Sequence, residues 1–169
     1  MTANRDTLVQ LARAGILTGL SDGLFASVLS VLVFHSTVTR VWLGVASTLL
    51  GRSALEGGTG TVLIGLLMHF GVAFGWSLVF LTLVLQWPWI RRVLASRYGV
   101  IKVAAMYGPF IWLVMSLVVI PLLVHRPPVI SSRWWIQFVG HFPFVGIPIV
   151  ASLGRVGSPP ATQARSSIL

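Results

Sequence analysis

Four long apolar runs separated by short polar breaks dominate the chain. Their lengths predict membrane-spanning helices at about 11–34, 60–86, 103–124 and 134–153. A hydrocarbon core about 30 Å thick takes about 20 residues of helix. The longest run, Gly60 to Gln86, has 27 residues and His69 as its only ionisable group, more apolar chain than a water-soluble domain needs. Residues 37–50 read differently. Val38, Val41, Trp42, Val45 and Leu49 recur at helical spacing, while Arg40, Gly44, Ser47 and Gly51 take another face. That pattern predicts an amphipathic helix in the membrane interface, with a re-entrant segment as the alternative.

The breaks carry the expected punctuation. Leu50-Gly51 and Glu56-Gly57-Gly58 precede the second span, Trp87-Pro88-Trp89 closes it, and His125-Arg126-Pro127-Pro128 turns the chain after the third. Trp134-Trp135 anchors the start of the fourth. Residues 1–10 read as a polar tail, and 154–169 as a Pro/Ser-rich disordered one. The predicted fold is all-α: a polytopic transmembrane four-helix bundle at 11–153 with one interfacial amphipathic helix.

Composition agrees: 56% of residues are hydrophobic and 9% charged, against about 25% charged in an ordinary globular protein. Twelve basic residues face three acids, Asp6, Asp22 and Glu56. The basic residues fall in the gaps between apolar runs, which favours topology setting and anionic lipid over nucleic acid. With four spans both termini share a side, and that side receives eight of the twelve (two, four and two along the chain), so the termini are expected in the cytoplasm. The first run is too long for a secretory signal and contains Asp22, so it is read as a retained span. The absence of cysteine excludes disulfides and thiolate chemistry.

Polar groups inside the spans mark where chemistry is expected. His69 lies nine residues in from Gly60, about 14 Å at helical rise, and His141 about 9 Å into the fourth span from the same side. Asp22 lies about 18 Å from the matching end of the first span, and Glu56 at the mouth. Three readings of this set stand open. The first is a hydrogen-bonded cluster that clips helices in a small non-enzymatic protein with no cofactor. The second is a haem or divalent-metal site with His69 and His141 as ligands, joined by Asp22 and Glu56. The third is proton or ion translocation by an oligomer, through a transporter or channel. His35 and His125 are expected at the interface, and Trp76 and Trp112 as packing residues.

Small residues supply a packing expectation. Gly15, Gly19 and Gly23 recur every fourth position, and Gly71 and Gly75 form a second GxxxG that pairs with the first groove or drives a homo-oligomer. Nothing supports a soluble-type enzyme or identifies a soluble substrate. There is no GxxxxGK[ST], no GxGxxG opening a helix and no HExxH, and Ser116 and Ser152 have no evident base.

Two stretches have a family look. Ala46-Ser47-Thr48-Leu49-Leu50-Gly51 with Glu56-Gly57-Gly58 precedes a helix carrying Met68-His69-Phe70 and Ala73-Phe74-Gly75. His141 with Val145, Gly146, Pro148 and Ile149 forms an H…VGxPI pattern in the last helix, and Tyr107-Gly108 to Pro121-Leu122 makes up the third. From about residue 14 to 152 the chain resembles a group of small bacterial integral membrane proteins of unknown function. The resemblance implies a four-helix protein of the bacterial cytoplasmic (inner) membrane and brings no activity with it.

Overall fold

A computed structural model describes residues 2–156, so the C-terminal tail expected from residue 154 lies mostly outside the described residues. The described residues are helices and connecting turns, with no strand among them. Six helices are numbered here in chain order: α1 Thr2–Leu32, α2 Val38–Leu50, α3 Thr59–Gln86, α4 Pro88–Leu94, α5 Gly99–Val124 and α6 Ser132–Leu153. A short 3-10 helix, Arg52–Glu56, joins α2 to α3. Four helices are long and apolar enough to cross a membrane: α1 from Arg5 onward, α3, α5 and α6.

Helix limits follow from local chemistry. Residues 2–10, expected as a tail, are helical, because neither glycine nor proline interrupts the chain before Gly15. The Thr37 side chain caps α2 by accepting the Arg40 amide at 3.2 Å. Pro88 keeps Trp87 extended (φ −112, ψ 101) and ends α3. Arg91 then turns back and donates Nη1 to the Val84 and Leu85 carbonyls at 2.9 and 3.1 Å, two acceptors left open at that end.

Both α5 and α6 contain a π-helical turn, Met115–Val119 and Phe142–Gly146, each ahead of a proline. Pro148 has no N–H, so the Phe144 carbonyl loses its helical donor. Ser21 of α1 supplies the replacement, donating its hydroxyl to that oxygen. Trp134 Nε1 of α6 donates to Ser116 Oγ of α5 at 3.0 Å.

Packing closes a ring. α1 lies against α3 on one side and α6 on the other, and α6 lies against α5. The α3–α5 side is filled by rings: Tyr107 sits against Trp76 and Phe80, with centroids 6.3 and 4.8 Å away, and donates to the Trp76 carbonyl at 2.7 Å. α2 lies across α3 and touches α1 and the last turn of α5. At the α5–α6 crossing the backbones meet, since a Cβ on Gly108 or Gly146 would run into the His141 or Ala104 carbonyl. Gly65 does the same for α2 and α3 beneath the Trp42 carbonyl.

The two ends of the bundle differ inside. The end bearing α4 holds a close-packed apolar core with Phe80, Val84, Ala104, Ile149, Val150 and Leu153 at its centre. Toward the end bearing α2, the buried residues include Thr18, Ser116, Gln137 and His141.

Candidate functional site

The candidate site is this polar half of the interior, reached by α1, α3, α5 and α6. On α1, Gly15, Gly19 and Gly23 form a groove, as their spacing implies. Large side chains fill it rather than a second small-residue stripe: Phe74 lies over Gly15, Phe70 over Gly19, and Trp42 with His69 over Gly23. Gly71 and Gly75 have open space where a Cβ would stand, so within the chain they take no part in packing. The physical reason is angular. Phe70 and Phe74 each precede a glycine by one residue, which places the glycines about 100° away around α3.

His69 sits in that groove. Its Nε2 lies 2.9 Å from the Gly19 carbonyl oxygen, which requires Nε2–H to donate. Trp42 and Phe70 hold the ring edge-on, with centroids 5.3 and 5.8 Å away. His69 therefore links α3 to the backbone of α1, not to Asp22.

His141 is 7% exposed and donates Nδ1–H to the Gln137 carbonyl at 2.8 Å, a bond within its own helix. The Trp112 ring of α5 covers it, centroids 4.7 Å apart. α1 is locked against the same segment of α6, with Phe25 stacked on Phe144 at 4.5 Å and pressed on Gly140. His69 thus lies over Gly23, next to Asp22 in the chain, while α1 meets the turn bearing His141 through Phe25.

Glu56 is exposed at the end of the 3-10 helix. No three His, Asp or Glu side chains converge as a metal site among the described residues. His69 Nδ1 and His141 Nε2 are the ring nitrogens not engaged by carbonyls.

Three groups in this half have no hydrogen-bond partner although their atoms are buried: Asp22 Oδ1, Thr18 Oγ1 and Trp112 Nε1. Thr18 precedes Asp22 by one helical turn on α1, and Trp112 lies on His141, so unmet polar atoms are left on α1 and on α5. Sequence reasoning took Trp112 for packing and passed over Thr18, whose four-residue offset from Asp22 was the available signal. It also passed over Gly19-Leu20-Ser21-Asp22-Gly23, which has the G-x-S-x-G spacing of a nucleophile elbow. Here Ser21 lies within a continuous helix, and its one hydroxyl proton has the Leu17, Thr18 and Phe144 carbonyls within reach, with no base among its partners. That is a packing serine. His125 ends α5 and His35 lies three residues beyond α1, both in left-handed conformation, φ 52 and 48. No protein-family description, curated protein or solved structure matches this chain.

Proposed function

We propose that the chain is a small non-enzymatic multi-pass membrane protein in which α1, α3, α5 and α6 cross the bilayer, both termini are cytoplasmic, and α2 lies at the outer interface. The polar half of the interior then faces the outer leaflet, and its main work is to hold the helices together. One observation carries this reading: the single ionisable group of α3, His69, is spent on the Gly19 carbonyl of α1 at 2.9 Å. Lipid supplies no hydrophobic drive between helices, so such contacts and close packing carry association. The excess of basic residues on the side of the termini supports the orientation. The resemblance around Ala46–Gly58 and His141–Ile149 supports a bacterial cytoplasmic membrane and membership of that small-protein group.

The test is a stability series in detergent micelles. His69→Ala should lower unfolding stability by about 1 kcal/mol, the scale of an interhelical hydrogen bond. His69→Gln, which keeps a donor of similar reach, should recover part of it. Equal stability of all three proteins would refute the clip.

A second reading has its own observation. A purely structural cluster would leave no buried carboxylate oxygen without a partner, and Asp22 Oδ1 has none. That spare acceptor favours proton or ion passage, with an oligomer completing the path. pH-driven flux in liposomes that disappears in Asp22→Asn, with folding intact, would establish it. No flux from the folded wild type would leave the clip.

A further inference from the structure

At the α2 end, away from Asp22, His69 and His141, a cavity of about 450 Å³ opens where the last turns of α2, the 3-10 helix and the end of α5 meet. Its cationic side is made by Arg52 and Arg126, with His125 beside them, and no acidic residue lines it. Neither arginine has an ion pair or hydrogen bond from its side chain among the described residues. Leu55 and Leu123 are among the apolar residues that complete the wall.

Both arginines are brought there by turns of left-handed backbone. Gly51 (φ 83) ends α2 and starts the 3-10 helix, so Arg52 follows the bend directly. His125 (φ 52) ends α5, and the Arg126 amide bonds back to the Pro121 carbonyl at 3.3 Å. Two arginines from segments more than seventy residues apart thus border one opening. Guanidinium pairs well with phosphate oxygens, which its planar fork meets in bidentate fashion. The cavity is within the range of small-molecule sites, about 300–1,000 Å³. A free anion has no use for the leucines; a phosphate carried on glycerol and acyl chains does.

We propose that this cavity binds the phosphate group of an anionic phospholipid, with Arg52 and Arg126 on the phosphate and Leu55 and Leu123 against the glycerol and upper acyl chain. The proposal rests on the membrane reading above, which puts the α2 end at the bilayer–water boundary. Basic pockets at such boundaries take anionic head groups.

The experiment uses the full chain in phosphatidylcholine nanodiscs, titrated with phosphatidylglycerol bearing a fluorescent tail and read by energy transfer from tryptophan. Arg52→Gln/Arg126→Gln should weaken binding about tenfold to thirtyfold. Arg40→Gln/Arg133→Gln removes the same charge outside the cavity lining and should change it less than threefold. Equal weakening by the two pairs, or no preference for phosphatidylglycerol over phosphatidylcholine, would overturn the site. Millimolar inorganic phosphate is the other arm. Failure to compete supports the lipid source, whereas displacement that is lost in the cavity variant would overturn it in favour of free phosphate. Carbonate extraction separates the two levels: release of the wild type from membranes would sink the membrane reading itself, while retention without lipid selectivity would sink this site alone.

Discussion

Gly108→Ala is the substitution the packing judges most severely. The new Cβ would collide with the His141 carbonyl oxygen, stand 2.7 Å from its carbon and lie 3.0 Å from the Gly146 amide nitrogen. All three are backbone atoms, so no rotamer change relieves them. The carbonyl carbon alone must recede by about 0.7 Å to reach ordinary contact, and α5 and α6 must separate along the whole crossing to allow it. Overpacking of this kind costs about 1–3 kcal/mol. The better helix propensity of alanine offsets up to about 1 kcal/mol. With the full offset a net loss of up to about 2 kcal/mol remains, and the overpacking cost of about 1–3 kcal/mol is the difference from a glycine in open space. Gly71→Ala is the matched control, since nothing lies within 4 Å of its Cβ position; it should be neutral or slightly stabilising. Both variants are unfolded in mixed micelles by raising the fraction of denaturing detergent, with helicity as readout. Gly146→Ala strains the same crossing through the Ala104 carbonyl, so the Gly108→Ala/Gly146→Ala double variant should lose less than the sum of the two. Equal stability of Gly108→Ala and Gly71→Ala would refute the claim that the backbones of α5 and α6 touch.

Other expectations are narrower. Ser21→Ala should cost about 1 kcal/mol by leaving the Phe144 carbonyl without its substitute donor, and stability equal to wild type in the same titration would contradict that account. Trp134→Phe keeps the ring that lies parallel to Phe138 at 5.6 Å but removes the Nε1 donor to Ser116, so a loss below about 1.5 kcal/mol is expected on unfolding. Reporter fusions after residues 95 and 130 should report cytoplasm and exterior respectively; the reverse pattern would invert the topology. Purified protein expressed with haem and metals supplied should show neither a Soret band nor stoichiometric metal. A band abolished by His69→Ala/His141→Ala would make the two histidines ligands.

The long apolar helices were legible because hydropathy and length alone decide them; α2 was legible as a helix, but the face it buries is Trp42, Leu43 and Ala46, while Val38 and Leu49 of the expected stripe are exposed. What escaped was whatever depends on backbone atoms of another helix. Nothing in a string of residues marks the Gly19 carbonyl as the partner of His69, or the Trp42 carbonyl as the reason for Gly65. Gly71-x-x-x-Gly75 and Gly15-x-x-x-Gly19 have the same pattern, yet one faces open space and the other is filled by aromatic rings. Which stripe is used follows from the rotation of each helix in the bundle, which spacing does not encode. Depth put Asp22 and His141 at similar levels, but depth does not say which side-chain atoms meet. The helical start of the chain was misjudged because polarity was taken for a break, though no breaker residue was present.

The unequal interior has a consequence for how the molecule opens. Local unfolding is easiest where buried apolar contact is thin and polar atoms are already unmet. Amide exchange should therefore run as a gradient along each long helix. Protection should be greatest around Phe80, Ala104 and Ile149, in the apolar core, and fall off toward Thr18, Asp22, Trp112 and His141. One helix would then belong to two cooperative units, and water would enter the bundle from the α2 end while the opposite end stays shut.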